Sequence, residues 1–153
     1  HGDVRAVIEY MVPKGSNSGV YFQGRYEIQI LDSHGKKTLT FKDNGAIDEH
    51  VVNGKGVGGN VPAINASKAP GEWQKLIVTF RAPRFDAGGK KVENAKFVKV
   101  SLNGQVIHHN VEVPAPTRGS LFKDEKPNGP IMLQGDHGPV AFRKIIMKPV
   151  KLD

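Results

Sequence analysis

The sequence predicts an all-β sandwich, on three observations. Glycine and proline are frequent, at 18 and 10 of 153 residues, and they are spread evenly along the chain. Between them lie short runs rich in Val, Ile, Phe and Tyr in which apolar and polar residues alternate, which is typical of half-buried strands. No segment carries a helical apolar period with proper caps for more than about two turns. Many short strands without helices favour a sandwich or jelly roll.

The alternating runs give the individual strands. The dipeptide Asn103-Gly104 separates two runs and is the strongest hairpin signal in the chain. Gly24 separates two others and indicates a bend or bulge. The segments 43–70 and 114–130 are predicted to be long loops, which are often functional. The predicted strands are 4–12, 19–23, 26–31, 73–81, 96–102, 105–113, 131–134 and 140–148.

Charge and composition narrow the function classes. The formal net charge is +7, which raises the question of a nucleic-acid partner. The lysines are dispersed, however, and no aromatic RNA-binding motif or basic helix accompanies them, so we expect a solvated basic surface and no nucleic-acid partner. The chain has no cysteine, which excludes disulfides and thiolate metal sites. No apolar run approaches the roughly 18 residues of a membrane span.

The length fits one domain over residues 1–153. The chain opens at His1 without a methionine, as expected of a processed or engineered end. A lost export signal and membership of a larger protein are both compatible with that start.

The segment 26–31 is the first candidate for a functional site. Its apolar residues alternate with Glu27 and Gln29, which therefore share the face turned away from the core. A carboxylate beside a planar amide is the usual partner of sugar hydroxyls. On the preceding strand Tyr21 and Gln23 are expected to share a face, with Tyr21 as a platform for a sugar ring. The alternative is an ordinary solvent-facing side of an antiparallel sheet, which spacing alone favours.

The second candidate is the segment 129–145. Gln134, Asp136 and His137 lie at a strand end and in the turn after it, and Arg143 lies on the next strand. An Asp and a His beside a sheet supply a base, an acid or a metal ligand. The alternative is an ordinary turn in which Asp136 bonds its own backbone.

Segments in the same order along almost the whole chain resemble the 3-keto-disaccharide hydrolase family. The segments are NSGVYFQGRYEIQILDSHG, NASKAPGEWQKLIVTFRAPRFD, SLNGQVIHHNVEVPAPT and GPIMLQGDHGPVAFRKIIMKP. The resemblance implies a concanavalin- or laminin-G-like jelly-roll sandwich of two antiparallel sheets. It also implies a carbohydrate partner, an oxidised disaccharide or glycoside bound on a concave sheet face, and a periplasmic or secreted location.

The resemblance further implies cleavage of glycosides that carry a ketone at C3. The ketone acidifies the C2 hydrogen, so such an enzyme needs a general base and a positive group near the ketone oxygen. On this interpretation Glu27 or His137 is the base, and Arg25, Arg143 or a divalent metal stabilises the enolate. The full expected substrate-binding set is Tyr21, Gln23, Arg25, Gln29, Gln134, Asp136 and Arg143.

The sequence departs from the family in several places. The family's additional N-terminal strand has no counterpart before residue 4, and Met11 and Asn44-Gly45 stand where many relatives have arginine and Cys-Gly. The second hypothesis is therefore a non-catalytic carbohydrate-binding module of the same fold. Such a module would present exposed aromatic side chains, and the chain has only 3 Tyr and 1 Trp, which favours the enzyme.

Overall fold

The computed structural model describes all residues from His1 to Asp153. The chain forms β-strands and turns without an α-helix, and all strand pairs are antiparallel. Consequently, no helix is present that could cross a membrane. The strands are β1 (Val4–Met11), β2 (Asn17–Phe22), β3 (Tyr26–Leu31), β4 (His50–Val52), β5 (Lys55–Val57), β6 (Gln74–Arg81), β7 (Arg84–Phe85), β8 (Lys91–Glu93), β9 (Ala95–Leu102), β10 (Gln105–Val113), β11 (Met132–Leu133) and β12 (Ala141–Pro149).

Two main sheets build the sandwich. The larger has the order β10-β9-β6-β1-β12, and the smaller has the order β11-β2-β3. Two short hairpins, β4-β5 and β7-β8, lie outside them. The predicted all-β sandwich is therefore confirmed, and each predicted strand is present with ends shifted by at most two residues. The short hairpins were not predicted because strands of two or three residues are too short to show alternation.

The core lies between the two sheets. A cluster of 22 buried residues draws on the inner faces of both. Its centre is aromatic: the ring centroid of Phe80 on β6 lies 5.4 Å from Phe22, 5.5 Å from Tyr26 and 5.3 Å from Phe97. Because these rings come from β2, β3, β6 and β9, they fix the smaller sheet against the larger one.

The β9-β10 hairpin confirms the strongest turn signal. Asn103 and Gly104 have φ angles of 51° and 82°, the left-handed backbone that a two-residue type I′ turn requires. The Asn103 side chain also donates a hydrogen bond to the Ala66 carbonyl at 2.8 Å. The turn therefore closes the hairpin and anchors the long connection between β5 and β6.

The predicted loop 43–70 differs most from expectation. Its first residues lie along the free edge of β3, where Gln29 donates its backbone N–H to Ala46 at 2.8 Å and accepts from Gly45 at 2.7 Å. Ile47 bridges Ile28 and is itself buried in the core. The segment therefore covers an edge that would otherwise expose unpaired backbone groups, and it carries the residues after Ile47 onto the outer face of β3.

Replacing the central ring of the aromatic cluster should destabilise the fold strongly. Phe80→Ala removes a fully buried side chain that packs against four other rings, including the imidazole of His1, and we expect a loss of about 3–5 kcal/mol in the free energy of unfolding. Chemical denaturation measures this loss. Val106→Ala, at a site that is 46% exposed, is the control and should cost no more than about 0.5 kcal/mol. Equal losses would contradict the placement of the core.

Candidate functional site

The outer face of the smaller sheet carries a polar cleft. Along β3, residues Glu27 and Gln29 point away from the core, and the register places them opposite Tyr21 and Gly19 of β2. The cleft has a volume of about 370 Å³. Its lining residues are Asn17, Tyr21, Glu27, Gln29, Lys42, Asp48, Arg118, Gly119, Gln134 and His137.

Gly19 makes room for the Glu27 side chain. A Cβ atom at Gly19 would collide with the Glu27 carboxyl group, so only glycine allows this close approach of the two strands' outer faces. The carbonyl of Gly19 also accepts a hydrogen bond from the Gln134 backbone N–H at 2.9 Å, and Ser18 donates its hydroxyl to the Gln134 carbonyl at 2.7 Å. These bonds bring the end of β11 to the rim of the cleft.

Glu27 is the floor of the cleft and is only 2% exposed. Burial raises the pKa of its carboxyl to about 8, because a charged group is poorly solvated there. The neighbouring carboxylate of Asp48 acts in the same direction, while Tyr21 and Lys42 favour the charged form and oppose the rise. At neutral pH Glu27 is therefore mostly protonated, and its conjugate base is stronger than an ordinary carboxylate.

The covering segment supplies Asp48. Its backbone N–H donates to the carbonyl of Glu27 at 3.4 Å. Its side chain pairs with Lys42, with 2.7 Å between Oδ1 and Nζ. Asp48 is 7% exposed, so its carboxylate lies in the wall of the cleft, whereas the Lys42 ammonium reaches it from the solvent side. On the other side Thr117 accepts the Glu27 backbone N–H through its hydroxyl at 3.0 Å, which fixes the main chain beneath the carboxyl.

Tyr21 contributes a hydroxyl group to the cleft and not an open ring. It is 1% exposed, so the predicted platform for a sugar ring is wrong. Burial, together with the adjacent Glu27 carboxylate, raises the pKa of the Tyr21 phenol far above its ordinary value. The phenol therefore stays protonated. Its oxygen also lies 3.5 Å from the Arg118 carbonyl.

Two amides complete the floor. With its amide oriented so that nitrogen donates, Gln29 contacts the Glu27 carboxyl at 3.0 Å and the Ser18 carbonyl at 3.2 Å. The side-chain oxygen of Asn17 is buried and has no hydrogen-bond partner within the protein. A buried acceptor without a partner is costly. A donor group on a ligand in the cleft would satisfy it.

His137 lies at the rim of the same cleft as Glu27, so the two segments singled out in the sequence converge on one side of the sandwich. Its Nδ1 atom is 2.6 Å from the Asp136 carboxylate. This hydrogen bond holds the pKa of Asp136 below its ordinary value. Asp136 itself does not line the cleft but orients the imidazole ring that does.

Gln23 lies outside the cleft. Strand β2 ends at Phe22, and Gln23 adopts a φ angle of 55° in the following turn, so the prediction that it shares a face with Tyr21 is wrong. Its side-chain amide donates to the carbonyl of His1 at 3.2 Å and to that of Pro127 at 2.9 Å. Gln23 therefore holds the connection between β10 and β11 in place.

Arg25 is also placed elsewhere. It is buried, pairs with Asp124 at 2.8 Å and lies over the ring of Phe122 with its central carbon 4.6 Å from the centroid. All of these contacts lie on the β2-β3 turn and the 121–124 segment, and none is in the cleft. Its role as an enolate-stabilising group is therefore not supported by its position.

Arg143 lies on the opposite sheet. It occupies β12, donates to Glu9 at 2.7 Å and covers the Trp73 ring at 4.5 Å from the centroid. Its predicted strand is correct, but alternation within a strand does not reveal which sheet the strand joins. Arg143 therefore cannot contact a ligand bound beside Glu27.

The cations of the cleft are Lys42 and Arg118, neither of which the sequence predicted. Both belong to segments without alternation, and Asp48 belongs to the same group. The chain also places no three His, Asp or Glu side chains where they could hold a metal ion. The residues therefore do not fit the divalent metal that the resemblance allowed, and no step below passes through one.

A larger concavity of about 840 Å³ lies at the other end of the sandwich, between Asp3, Arg84 and Val150–Leu152. Its acidic groups are engaged: Asp3 pairs with Arg84 at 2.7 Å, and Glu125 pairs with Lys91 at 2.5 Å. The pKa of Asp3 is lowered, because the effect of burial is outweighed by hydrogen bonds from Arg84 and from backbone groups. The smaller cleft at Glu27 is therefore the stronger candidate for chemistry.

The raised pKa of Glu27 predicts how stability depends on pH. Below about pH 4.5 the carboxyl is protonated in both the folded and the unfolded chain, and its contribution to stability is complete. Between about 4.5 and 8 only the unfolded chain releases the proton, so stability falls by up to about 1.4 kcal/mol per pH unit. Glu27→Gln should remove this loss, making the variant progressively more stable than the original chain from pH 5 to pH 8.

Urea unfolding at several pH values measures the difference. Glu112→Gln, at an exposed position on β10, is the matched control and should not show the same growing advantage. A constant offset between the Glu27→Gln variant and the original chain across this range would show that Glu27 has an ordinary pKa.

Several solved structures share the fold of this chain. A candidate glycosyl hydrolase from Parabacteroides distasonis ATCC 8503 superposes with a TM-score of 0.74 at 28% identity, over 97% of this chain and 64% of that one. The chain thus spans less than two thirds of that protein's length. A second candidate glycosyl hydrolase from the same organism has a TM-score of 0.63 at 19% identity, covering 98% of this chain and 79% of its own.

A third such protein from that organism has a TM-score of 0.59 at 18% identity, with 99% and 73% of the two chains covered. The second and third likenesses show a shared fold. No curated protein matches the chain significantly. Residues 1–148 match the family described as the 3-keto-alpha-glucoside-1,2-lyase-like domain. Since that match spans nearly all of the chain, this protein belongs to the 3-keto-alpha-glucoside-1,2-lyase-like domain family.

Proposed function

We propose that this chain cleaves glycosides whose sugar ring carries a ketone at C3, with Glu27 as the general base. The observation that carries the proposal is a buried carboxyl with a pKa near 8 at the floor of a polar cleft. A base works best when its pKa lies near the working pH. Membership of the 3-keto-glycoside lyase-like family supports the choice of substrate class.

The first step is removal of the proton on C2. The neighbouring ketone acidifies this hydrogen, because the electron pair left behind delocalises onto the C3 oxygen as an enolate. The carboxylate of Glu27 takes the proton and becomes the neutral acid that its buried surroundings favour. Gln29, at 3.0 Å from the carboxyl, and Tyr21 hold it in a fixed orientation.

The second step expels the group attached to C1. The enolate re-forms the C3 ketone, a double bond forms between C1 and C2, and the C1–O bond breaks with its electron pair on the departing oxygen. That oxygen needs a proton. His137 lies at the rim and is oriented by Asp136 at 2.6 Å, so it is the candidate acid. Addition of water across the new double bond would complete a hydrolysis.

Charge in the cleft favours the enolate. Arg118 lines the cleft and forms no ion pair, whereas Lys42 is paired with Asp48. A cation within a few ångströms of a developing oxyanion stabilises it most effectively in a partly dry site. In this proposal Arg118 and Lys42 take the role that the sequence had suggested for Arg25 and Arg143.

The remaining polar groups suit a hydroxylated ligand. Asn17 offers a buried acceptor without a partner, and Gln134 lies at the rim with its backbone already bonded to β2. Tyr21 is the only Phe, Tyr or Trp residue of the lining. A carbohydrate-binding module would offer exposed rings for stacking, so the composition of the cleft favours the enzyme. Export to the periplasm or the cell exterior remains a prediction from the family.

The direct test is turnover of a 3-keto-glucoside with a chromogenic leaving group. Glu27→Gln should lower kcat/KM by roughly 10²–10⁴-fold, the usual contribution of a positioned general base. Glu112→Gln removes a carboxyl from the opposite sheet and should leave the rate unchanged. Binding of several keto sugars without any turnover by the unaltered chain would instead identify a binding module.

The rate should also depend on pH in a way set by Glu27. With a chromogenic leaving group that departs without help from an acid, kcat/KM should rise about tenfold per pH unit below the pKa of Glu27 and become level above about pH 8, because only the carboxylate form accepts the proton. Asp48→Asn removes a negative neighbour that raises the pKa, so the midpoint should move to lower pH. A profile already level from pH 5 would assign the base to another group.

A further inference from the structure

The outer face of the five-stranded sheet gathers basic residues that are scattered in the sequence. Across this face Arg5 lies opposite Lys148 of β12 on one side and opposite Thr79 of β6 on the other. Thr79 in turn lies opposite Lys99 of β9, and Lys99 lies opposite His109 of β10. Register therefore forms one row from residues that are up to 143 positions apart in the chain.

Little negative charge balances this row. Arg5, Lys99 and Lys148 are exposed, and none of them forms an ion pair. Arg5 and Lys148 stand directly opposite each other, and like charges in that position destabilise a sheet. Glu9, a carboxylate on the same face, is held by Arg143 at 2.7 Å and Lys75 at 3.7 Å. The face thus carries a stability cost that an anionic ligand would relieve.

A small depression lies within the basic row. Its volume is about 170 Å³, and it is lined by Arg5, Ile77, Thr79, Lys99 and Ser101. The register sets Thr79 beside Lys99 and Ile77 beside Ser101. Two cations, two hydroxyl groups and one aliphatic side chain therefore surround a hollow of the size of a single small group or ring.

We infer that this depression is a second carbohydrate site, which takes an acidic sugar unit of a polyanionic glycan. The guanidinium of Arg5 and the ammonium of Lys99 suit a sugar carboxylate. The hydroxyls of Thr79 and Ser101 suit the ring hydroxyls, and Ile77 suits the apolar face of the ring.

Basic residues on the neighbouring strands could bind further acidic sugar units of the same glycan chain. Neighbouring strands are about 4.8 Å apart, so Lys148 lies about one strand spacing beyond Arg5, and His109 about one beyond Lys99. A linear ligand laid across the strands would meet these groups in turn. Binding to a flat membrane surface would not involve hydroxyl groups inside a hollow. Binding to a nucleic acid would favour an exposed aromatic ring for stacking on a base, and the depression has none.

This site is independent of the cleft at Glu27. The cleft lies on the outer face of the smaller sheet, and the hydrophobic core separates it from the depression. A glycan bound at Arg5 would therefore hold the chain on its polymer without occupying the cleft. Its existence does not depend on the proposed cleavage reaction.

The test is binding of polygalacturonate, measured by affinity electrophoresis and calorimetry at low ionic strength, with dextran as the neutral comparison. The double variant Arg5→Gln, Lys99→Gln should bind at least about tenfold more weakly, since it loses both charged groups that face the sugar carboxylate. The double variant Lys55→Gln, Lys90→Gln changes the net charge equally at exposed, unpaired lysines and should bind as the original chain does.

A second variant keeps the charge. Thr79→Val with Ser101→Ala removes only the hydroxyls and should weaken polygalacturonate binding severalfold while leaving binding of single-stranded DNA unchanged. If the Lys55→Gln, Lys90→Gln variant lost as much polygalacturonate binding as the Arg5→Gln, Lys99→Gln variant, the inference would be overturned, because the net charge alone would then explain binding. Equally tight, Arg5- and Lys99-dependent binding of phosphatidylserine vesicles or DNA would overturn it as well. Unchanged cleft activity in every one of these variants would separate this site from the first.

Discussion

Burial of the Glu27 carboxyl on the outer face of β3 is the constraint on which the candidate site depends. An outer sheet face normally meets water, where a carboxyl has an ordinary pKa and little catalytic value near neutrality. Here the segment that ends at Asp48 follows the free edge of β3 and then turns over its outer face. Glycine at position 19 admits the side chain, and the pKa rises because charge is poorly solvated there.

The same segment links the fold to the chemistry. Ile47 is anchored in the core, and one residue later Asp48 lies in the wall of the cleft with Lys42. The position of the Asp48 carboxylate beside Glu27 is thus set by the packing of the sandwich and not by a free loop. This arrangement is consistent with preorganised electrostatics, in which charged groups are fixed before the substrate binds.

The strands and the outward face of β3 could be predicted from local sequence. The site residues that were predicted wrongly or missed have a common cause. Alternation in β3 correctly placed Glu27 and Gln29 on one face, whereas the position of His137 beside that face depends on how the later turn packs against β2. Alternation is a property of one strand, however, and it does not report which sheet a strand joins or what covers its edge. Arg143 was therefore assigned to the wrong face of the sandwich.

Because alternation describes one strand at a time, it also could not predict which cations line the cleft. Lys42, Asp48 and Arg118 lie in irregular segments whose path depends on contacts with distant strands. The lysines looked dispersed because they are far apart in the chain, yet antiparallel pairing brings Arg5 and Lys148 side by side. Sequence separation is a poor guide to spatial separation in a sheet whose order is β10-β9-β6-β1-β12.

The most direct test of the central claim is an NMR titration of the Glu27 side-chain carboxyl carbon, assigned by comparison with Glu27→Gln. The structure predicts a midpoint near pH 8, moving downward in Asp48→Asn. A midpoint near the usual value of 4.5 would show that the carboxyl is solvated, and would contradict both the burial of the cleft floor and the role of Glu27 as a tuned base.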